Sequence, residues 1–191
     1  MPSDHITDFA TLASSAALKG PAPVHLWNPP YCGDLDIVIK RDGTWSHEGR
    51  PIRRKELVRL FSSILKKEDD RYYLVTPAEK VGITVECCPF LIIGMEVGQL
   101  NGNQVIRFHT SNDEQVLADN EHHLFLEVVG REDFPHPVIH VRDGLSGLLS
   151  RAVFYRLAEM AVEHELQETP RLGVFSSGIF FRWIDSASRI A

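Results

Sequence analysis

The chain has no apolar run long enough to cross a bilayer. Its N-terminus lacks a basic region followed by an apolar core, so no secretory signal is read there. It has no basic surplus: 20 Lys and Arg stand against 26 Asp and Glu, for a net charge of −6. Long contact with a phosphate backbone needs a basic face, so duplex nucleic acid is not an expected partner, whereas a local pocket for one small anion stays open. Cysteine is scarce. Cys32, Cys87 and Cys88 are odd in number and two are adjacent, a spacing that fits neither a disulfide framework nor a zinc ribbon. These absences predict a soluble chain of the reducing cytoplasm with no membrane span.

Catalytic grammar is missing as well. The sequence holds no Gly-x-Gly-x-x-Gly after a strand, no phosphate-loop Gly-Lys-Ser/Thr and no Gly-x-Ser-x-Gly elbow. Ser176-Ser177-Gly178 lacks the flanks of a nucleophile turn. The nine histidines are scattered, and adjacent His122 and His123 point apart in an extended chain, so neither metal nor cofactor is expected. Cys87 and Cys88, read as part of a strand, are expected on opposite faces. The chain is read as more plausibly a binding module than an enzyme.

What the sequence does have is a repeat. Ile39-Lys40-Arg41-Asp42-Gly43, Arg54-Lys55-Glu56-Leu57-Val58-Arg59-Leu60 and Tyr72-Tyr73-Leu74-Val75 share a grammar with a second set. That set is His140-Val141-Arg142-Asp143-Gly144, Arg151-Ala152-Val153-Phe154-Tyr155-Arg156-Leu157 and Leu172-Gly173-Val174-Phe175. Each set reads as strand, Asp-Gly turn, helix opened by an arginine, strand. A cleft between two similar halves is a natural ligand site.

With 43% hydrophobic residues over 191 positions, a sizeable core is affordable in one domain or two. The predicted class is α+β, as two small domains carrying the repeated motif. Residues 1–22 form an N-terminal arm, 23–80 an αβ domain and 81–191 a β-rich domain. Leu57, Leu60, Phe61, Ile64 and Leu65 fall on one stripe and predict a helix over 53–67. Strands are predicted over 35–40, 71–75, 81–85, 90–97, 104–109, 114–117, 124–129 and 137–141. The spacing of Leu149, Ala152, Val153, Arg156, Leu157, Met160, Ala161 and His164 predicts a long helix over 148–167. A closing hairpin follows at 173–175 and 179–183.

Arg54 and Arg151 head the two helices. A cation there opposes the macrodipole unless an anion sits between them, which makes them the best local argument for an anion site. The alternative is pairing with an acidic side chain. Arg41 and Arg142, just before the repeated Asp-Gly, offer a planar fork to phosphate or carboxylate, or else cover a sheet edge. Trp45 and Tyr155 offer a stacking face, or else pack in a core. Asn112 and Asp113, in the polar stretch Thr110–Glu114, could orient a ligand or simply form a hairpin loop. Asp34 and Asp36 are paired carboxylates without further ligands nearby.

The segments Cys32-Gly33-Asp34-Leu35-Asp36, Arg41-Asp42-Gly43-Thr44-Trp45, Gly49-Arg50-Pro51-Ile52 and Tyr72-Tyr73-Leu74-Val75-Thr76-Pro77 resemble the bacterial domain of unknown function 1285 family. So do Leu57–Phe61, Val81–Glu86, Pro89-Phe90, Thr110–Asp113 and Arg151–Tyr155. The chain departs from the family where Cys87-Cys88 precedes Pro89-Phe90, a place where relatives commonly carry Asp-Ala. The resemblance implies two domains with a duplicated αβ motif. It also implies a C-terminal part like an antiparallel pleckstrin-homology barrel with a long helix. It implies no enzymatic activity, and points to a regulatory module in signal transduction with a small nucleotide-like ligand at the domain interface. A protein–protein adaptor, with Phe180-Phe181-Arg182-Trp183 as its apolar patch, is the alternative. A hydrolase or transferase without a recognisable motif is the third reading.

Overall fold

The computed structural model describes residues 21–130, 134–166 and 168–185, with side chains up to Arg182. The arm read over 1–22 lies outside the described residues except for its last two. The fold is mostly β and belongs to the α+β class, with two six-stranded sheets, one three-stranded sheet and two short helices among the described residues. The chain divides into two units. One runs up to Glu86 and includes Asp143–Leu145, and the other comprises Cys87–Arg142 and the chain from Ser146 on.

In the first unit, β1 (Tyr31–Ile39) turns at Asp42-Gly43 into β2 (Trp45–His47) and the short β3 (Arg50–Pro51). Helix α1 (Lys55–Ser63) follows, then the meander β4 (Leu65–Glu68), β5 (Arg71–Val75) and β6 (Lys80–Val85). The sheet order is β3-β2-β1-β6-β5-β4, and its one parallel pair, β1 with β6, closes the repeat on itself. The sheet buries Ile37, Ile39, Leu65 and Leu74, and Phe61 and Ile64 from the helix end lie in the same core.

The second unit begins with β7 (Phe90–Leu100), β8 (Asn103–Thr110), β9 (Gln115–Leu117), β10 (Leu124–Val128), β11 (Pro135–Arg142) and β12 (Leu145–Leu149). They form a sheet of order β10-β11-β12-β7-β8-β9. Asn101, with φ 53°, and Gly102, with φ 81°, make the predicted two-residue turn between β7 and β8. Helix α2 (Arg151–Ala158) leads to β13 (Val162–Leu166), β14 (Thr169–Ser176) and β15 (Ile179–Asp185), a separate antiparallel sheet. Ser176 joins the two sheets: its hydroxyl accepts from Ile106 N–H at 2.9 Å and donates to Ala118 C=O at 2.7 Å. That fully buried serine is a structural bridge rather than a nucleophile.

Three expectations are corrected. The helix read over 53–67 stops at Ser63, because Ile64 and Leu65 are buried by a strand that turns at Asp69, φ 51°, and pairs with β5. The long helix read over 148–167 spans only eight residues. Its apolar spacing runs on through Met160 and Ala161, but residues 162–166 gain a full ladder of backbone bonds with β14, which outweighs helix propensity. The C-terminal part is therefore not closed by a long helix. Nor is it antiparallel throughout, since β7 and β12 pair in parallel.

Candidate functional site

The start of β7 holds polar segments of the second unit on either side of the strand. Leu91 C=O accepts from Ser111 N–H at 2.8 Å, and Ile92 C=O accepts from Ser150 N–H at 2.9 Å. The β8–β9 loop and the start of α2 are thus anchored on consecutive residues of one strand. Within that loop, Thr110 Oγ1 accepts from the N–H groups of Asn112 and Glu114, at 3.3 and 3.0 Å. Asn112 is buried, while Asp113 is exposed with φ 64°.

Arg142, at the end of β11, donates to Glu114 Oε2 at 2.5 Å, and its guanidinium lies 4.9 Å from the centre of the Phe90 ring. The pair is half-buried. Burial pushes the Glu114 carboxyl above the usual glutamate range, and the neighbouring Arg142 charge pulls only part of that shift back. A carboxylate and a ring thus already occupy the fork that the sequence offers to a ligand.

Arg151 is different. It stands exposed at the first position of α2, after an N-cap Ser150 whose side chain makes no cap bond, and no acidic residue lies in the first turn. Val153 and Leu157 turn the buried face inward, so Arg151 and Tyr155, one turn apart, share the open face. The Tyr155 ring is 56% exposed, enough to take a planar group against it.

The remaining predicted residues belong to the first unit. Arg54 is the exposed N-cap of α1, with Glu56 in the first turn behind it. Arg41 lies in the β1–β2 turn, and its backbone N–H donates to Glu86 Oε2 at 3.0 Å. Trp45 is 2% exposed and packs beside Phe61, with ring centres 6.3 Å apart. It is a core residue and offers no open stacking face. Of the adaptor segment, Phe181 is buried and Phe180 packs on Phe175, with ring centres 5.0 Å apart. The Trp183 side chain lies outside the described residues.

Three features escaped the sequence. Glu114 and Phe90 flank Arg142 through long-range strand pairing that no local signal announces. In the first unit, Arg71 donates to Asp34 at 2.8 Å and lies 5.6 and 5.3 Å from the ring centres of Tyr31 and Tyr73. That contact binds Asp34 to a cation and separates its role from that of Asp36. The third is the cysteine pair. Cys87 and Cys88 lie in a bend, with their sulfurs 4.0 Å apart instead of on opposite faces.

These features describe a two-unit, mostly-β protein whose second unit carries candidate polar groups on both sides of β7. A model described as "Domain of unknown function (DUF1285), N-terminal domain" matches residues 22–88, and one described as "Protein of unknown function (DUF1285), C-terminal domain" matches residues 89–183. The chain belongs to the DUF1285 family. It is similar to the crystal structure of a DUF1285 family protein from Silicibacter pomeroyi DSS-3, at 44% identity and a TM-score of 0.81, over 92% of this chain and 93% of that one. It is also similar to a DUF1285 family protein from Shewanella baltica OS155, at 29% identity and a TM-score of 0.51, over 65% of this chain and 91% of that one. No curated protein matches the chain.

Proposed function

We propose that this protein is a non-enzymatic regulatory module of the bacterial cytoplasm that binds a small anionic, nucleotide-like ligand in signal transduction. The observation that carries the reading is the start of α2. Its N–H groups have no side-chain cap and no acidic residue in the first turn, and Arg151 and Tyr155 project from the same open face. An anion there accepts from the helix N–H groups and from Arg151, and a base or other ring lies on Tyr155. The loop of Asn112 and Asp113, anchored on the adjacent residue of β7, supplies orienting polar groups. Arg142 serves by holding that loop through Glu114. In the first unit, Arg54 and Arg41 are secondary candidates, and Trp45 acts only through the core.

The test is a thermal-shift screen of nucleotides, dinucleotides and other anionic metabolites at fixed salt. A ligand at a hundred times its Kd adds roughly 2.7 kcal/mol to the folded state. The expected result is a saturable hit lost in Arg151→Ala and weakened in Tyr155→Ala, with both variants folded. A hit indifferent to both substitutions sinks the assignment.

The adaptor reading rests on a different surface. Val128 and Phe134 are 58% and 57% exposed at the open end of the β10–β11 pair. A screen without any hit, together with a specific protein partner lost in Phe134→Ser, would favour it.

A further inference from the structure

Adjacent side chains on a strand point to opposite faces, and Cys87 and Cys88 do not. The bend after β6 brings their sulfurs to 4.0 Å, and neither is in a disulfide. Joining them as a disulfide is unfavourable. Consecutive Cα atoms stand about 3.8 Å apart, short of the roughly 4.4–6.8 Å that disulfides take, and a strained disulfide is readily reduced. The dithiol is the stable form of this pair.

Two thiolates that share one ion need a wider span than an S–S bond. With metal–sulfur bonds of about 2.3 Å, the sulfurs sit about 4.0 Å apart at a trigonal angle and about 4.6 Å apart at a linear one. The separation in place matches the trigonal span, in which a small ligand from solution takes the third position. Thiolates select soft ions, Cu(I), Zn(II) and iron–sulfur clusters among them. Zn(II) takes four ligands, and no group of three or more His, Cys, Asp and Glu able to hold a metal ion occurs among the described residues. The set on hand therefore suits an ion content with two or three soft ligands.

The surroundings agree. Cys88 is 6% exposed in a cluster with Val129, Val138 and Leu148, and Cys87, Leu91 and Phe125 pack half-buried against it. An apolar shell limits the access of water and harder ligands to a bound ion. Cys87 keeps partial exposure, which gives an entry path.

We propose that Cys87 and Cys88 form a dithiolate site for a soft, low-coordinate monovalent ion of the Cu(I) class. Binding forms two S–Cu bonds and breaks two S–H bonds: two thiols and one Cu(I) give a bis-thiolate complex and two protons, with no change of oxidation state. Affinity therefore rises with pH. The site is independent of the ligand reading above and stands or falls without it.

The test titrates Cu(I) into the full chain without oxygen, against a colorimetric Cu(I) chelator. The exposed Cys32 is changed to Ser so that only the pair remains. The expected result is one Cu(I) per chain, a thiolate-to-copper absorption band in the ultraviolet and release of two protons per ion. Losing one arm of a chelate costs about 100-fold in affinity, so Cys87→Ser and Cys88→Ala should each weaken binding by that factor. Equal affinity in either single variant overturns the site, as does one ion per two chains or dependence on Cys32. If Cys88→Ala unfolds, the half-buried Cys87→Ser decides alone.

Discussion

The two copies of the repeat share their order of elements and differ at their joints. β1–β2, α1 and β4–β6 correspond to β11–β12, α2 and β13–β15. In the first copy the meander returns to pair β6 with β1 in one sheet, whereas in the second it forms a sheet of its own. The turns share the letters Asp-Gly and use them differently. Asp42 keeps negative φ and accepts from Thr44 N–H at 2.9 Å, with only Gly43 left-handed, φ 80°. Asp143 and Gly144 are both left-handed, with φ 46° and 74°, as a two-residue type I′ turn requires. The helix starts differ too. Arg54 caps α1 from outside with Glu56 in its first turn, while Arg151 lies inside α2, whose first turn has no acid. Repetition has kept the scaffold, and the helix starts are where the two copies have room to diverge in function.

The largest expected effect separates the two aromatic residues that the sequence treats alike. Trp45→Ala removes a buried ring packed on Phe61 and should cost about 3–5 kcal/mol, as large-to-small core changes do. Tyr155→Ala removes an exposed ring and should stay within about 0.5 kcal/mol. Urea unfolding of both variants checks this, and a costly Tyr155→Ala would contradict its place on the open face. The turns come next. Asp42→Gly loses a charge-assisted bond to Thr44 and adds chain entropy, a loss of about 1–2 kcal/mol. Asp143→Gly replaces a left-handed residue with one suited to that conformation and should change stability by no more than about 0.5 kcal/mol. Equal losses at the two positions would mean that the turns are alike after all.

Much of this scaffold is legible in the sequence, and the failures share a cause. Alternation and Asp-Gly, Asn-Gly signals are local, and they place β1, β5 to β11 and their turns. The segments 65–68 and 162–166 each follow a helix whose apolar spacing carries straight on, so periodicity reads them as more helix. Only pairing with β5 and β14 makes them strands. Parallel pairing of β1 with β6 and of β7 with β12 joins segments far apart in the chain, and no local pattern encodes it. Site residues follow the same rule. Arg151 and Tyr155 are readable because the helix itself sets their spacing. The partners of Arg142, and the burial of Trp45, are set by long-range packing.

Acid and base should act on Glu68, in the first unit, and Glu114, in the second, with opposite sign. Lys80, 2.7 Å from Glu68, and Lys66, 3.0 Å away, hold its carboxyl below the usual glutamate range. A depressed folded pKa gives stability that is present above the unfolded value and lost as pH falls through the folded one. Glu114 runs the other way: its folded pKa is raised by burial, against the pull of Arg142. Its contribution is complete below the unfolded pKa and declines as pH rises through the folded one. Unfolding free energy followed from the carboxylate range to neutrality should therefore lose part of its acid limb in Glu68→Gln and part of its decline toward neutrality in Glu114→Gln. Slopes unchanged in both variants would refute these assignments.

The smallest effect bears most directly on function. Arg151 sits against the positive end of α2 with no acidic residue in the first turn, so Arg151→Ala should stabilise the fold by about 0.3–0.5 kcal/mol. Arg54→Ala removes a cation that has Glu56 within the same turn, and the same dipole argument predicts a change near zero or slightly unfavourable. Melting curves at low salt resolve a difference of that size in sign, and added salt should erase it. A stabilising Arg151→Ala that also abolishes ligand binding would mean that the second copy keeps its arginine at a cost to stability, for the sake of an anion. A destabilising Arg151→Ala would mean that the arginine already has an internal partner and that the helix start is not waiting for a ligand.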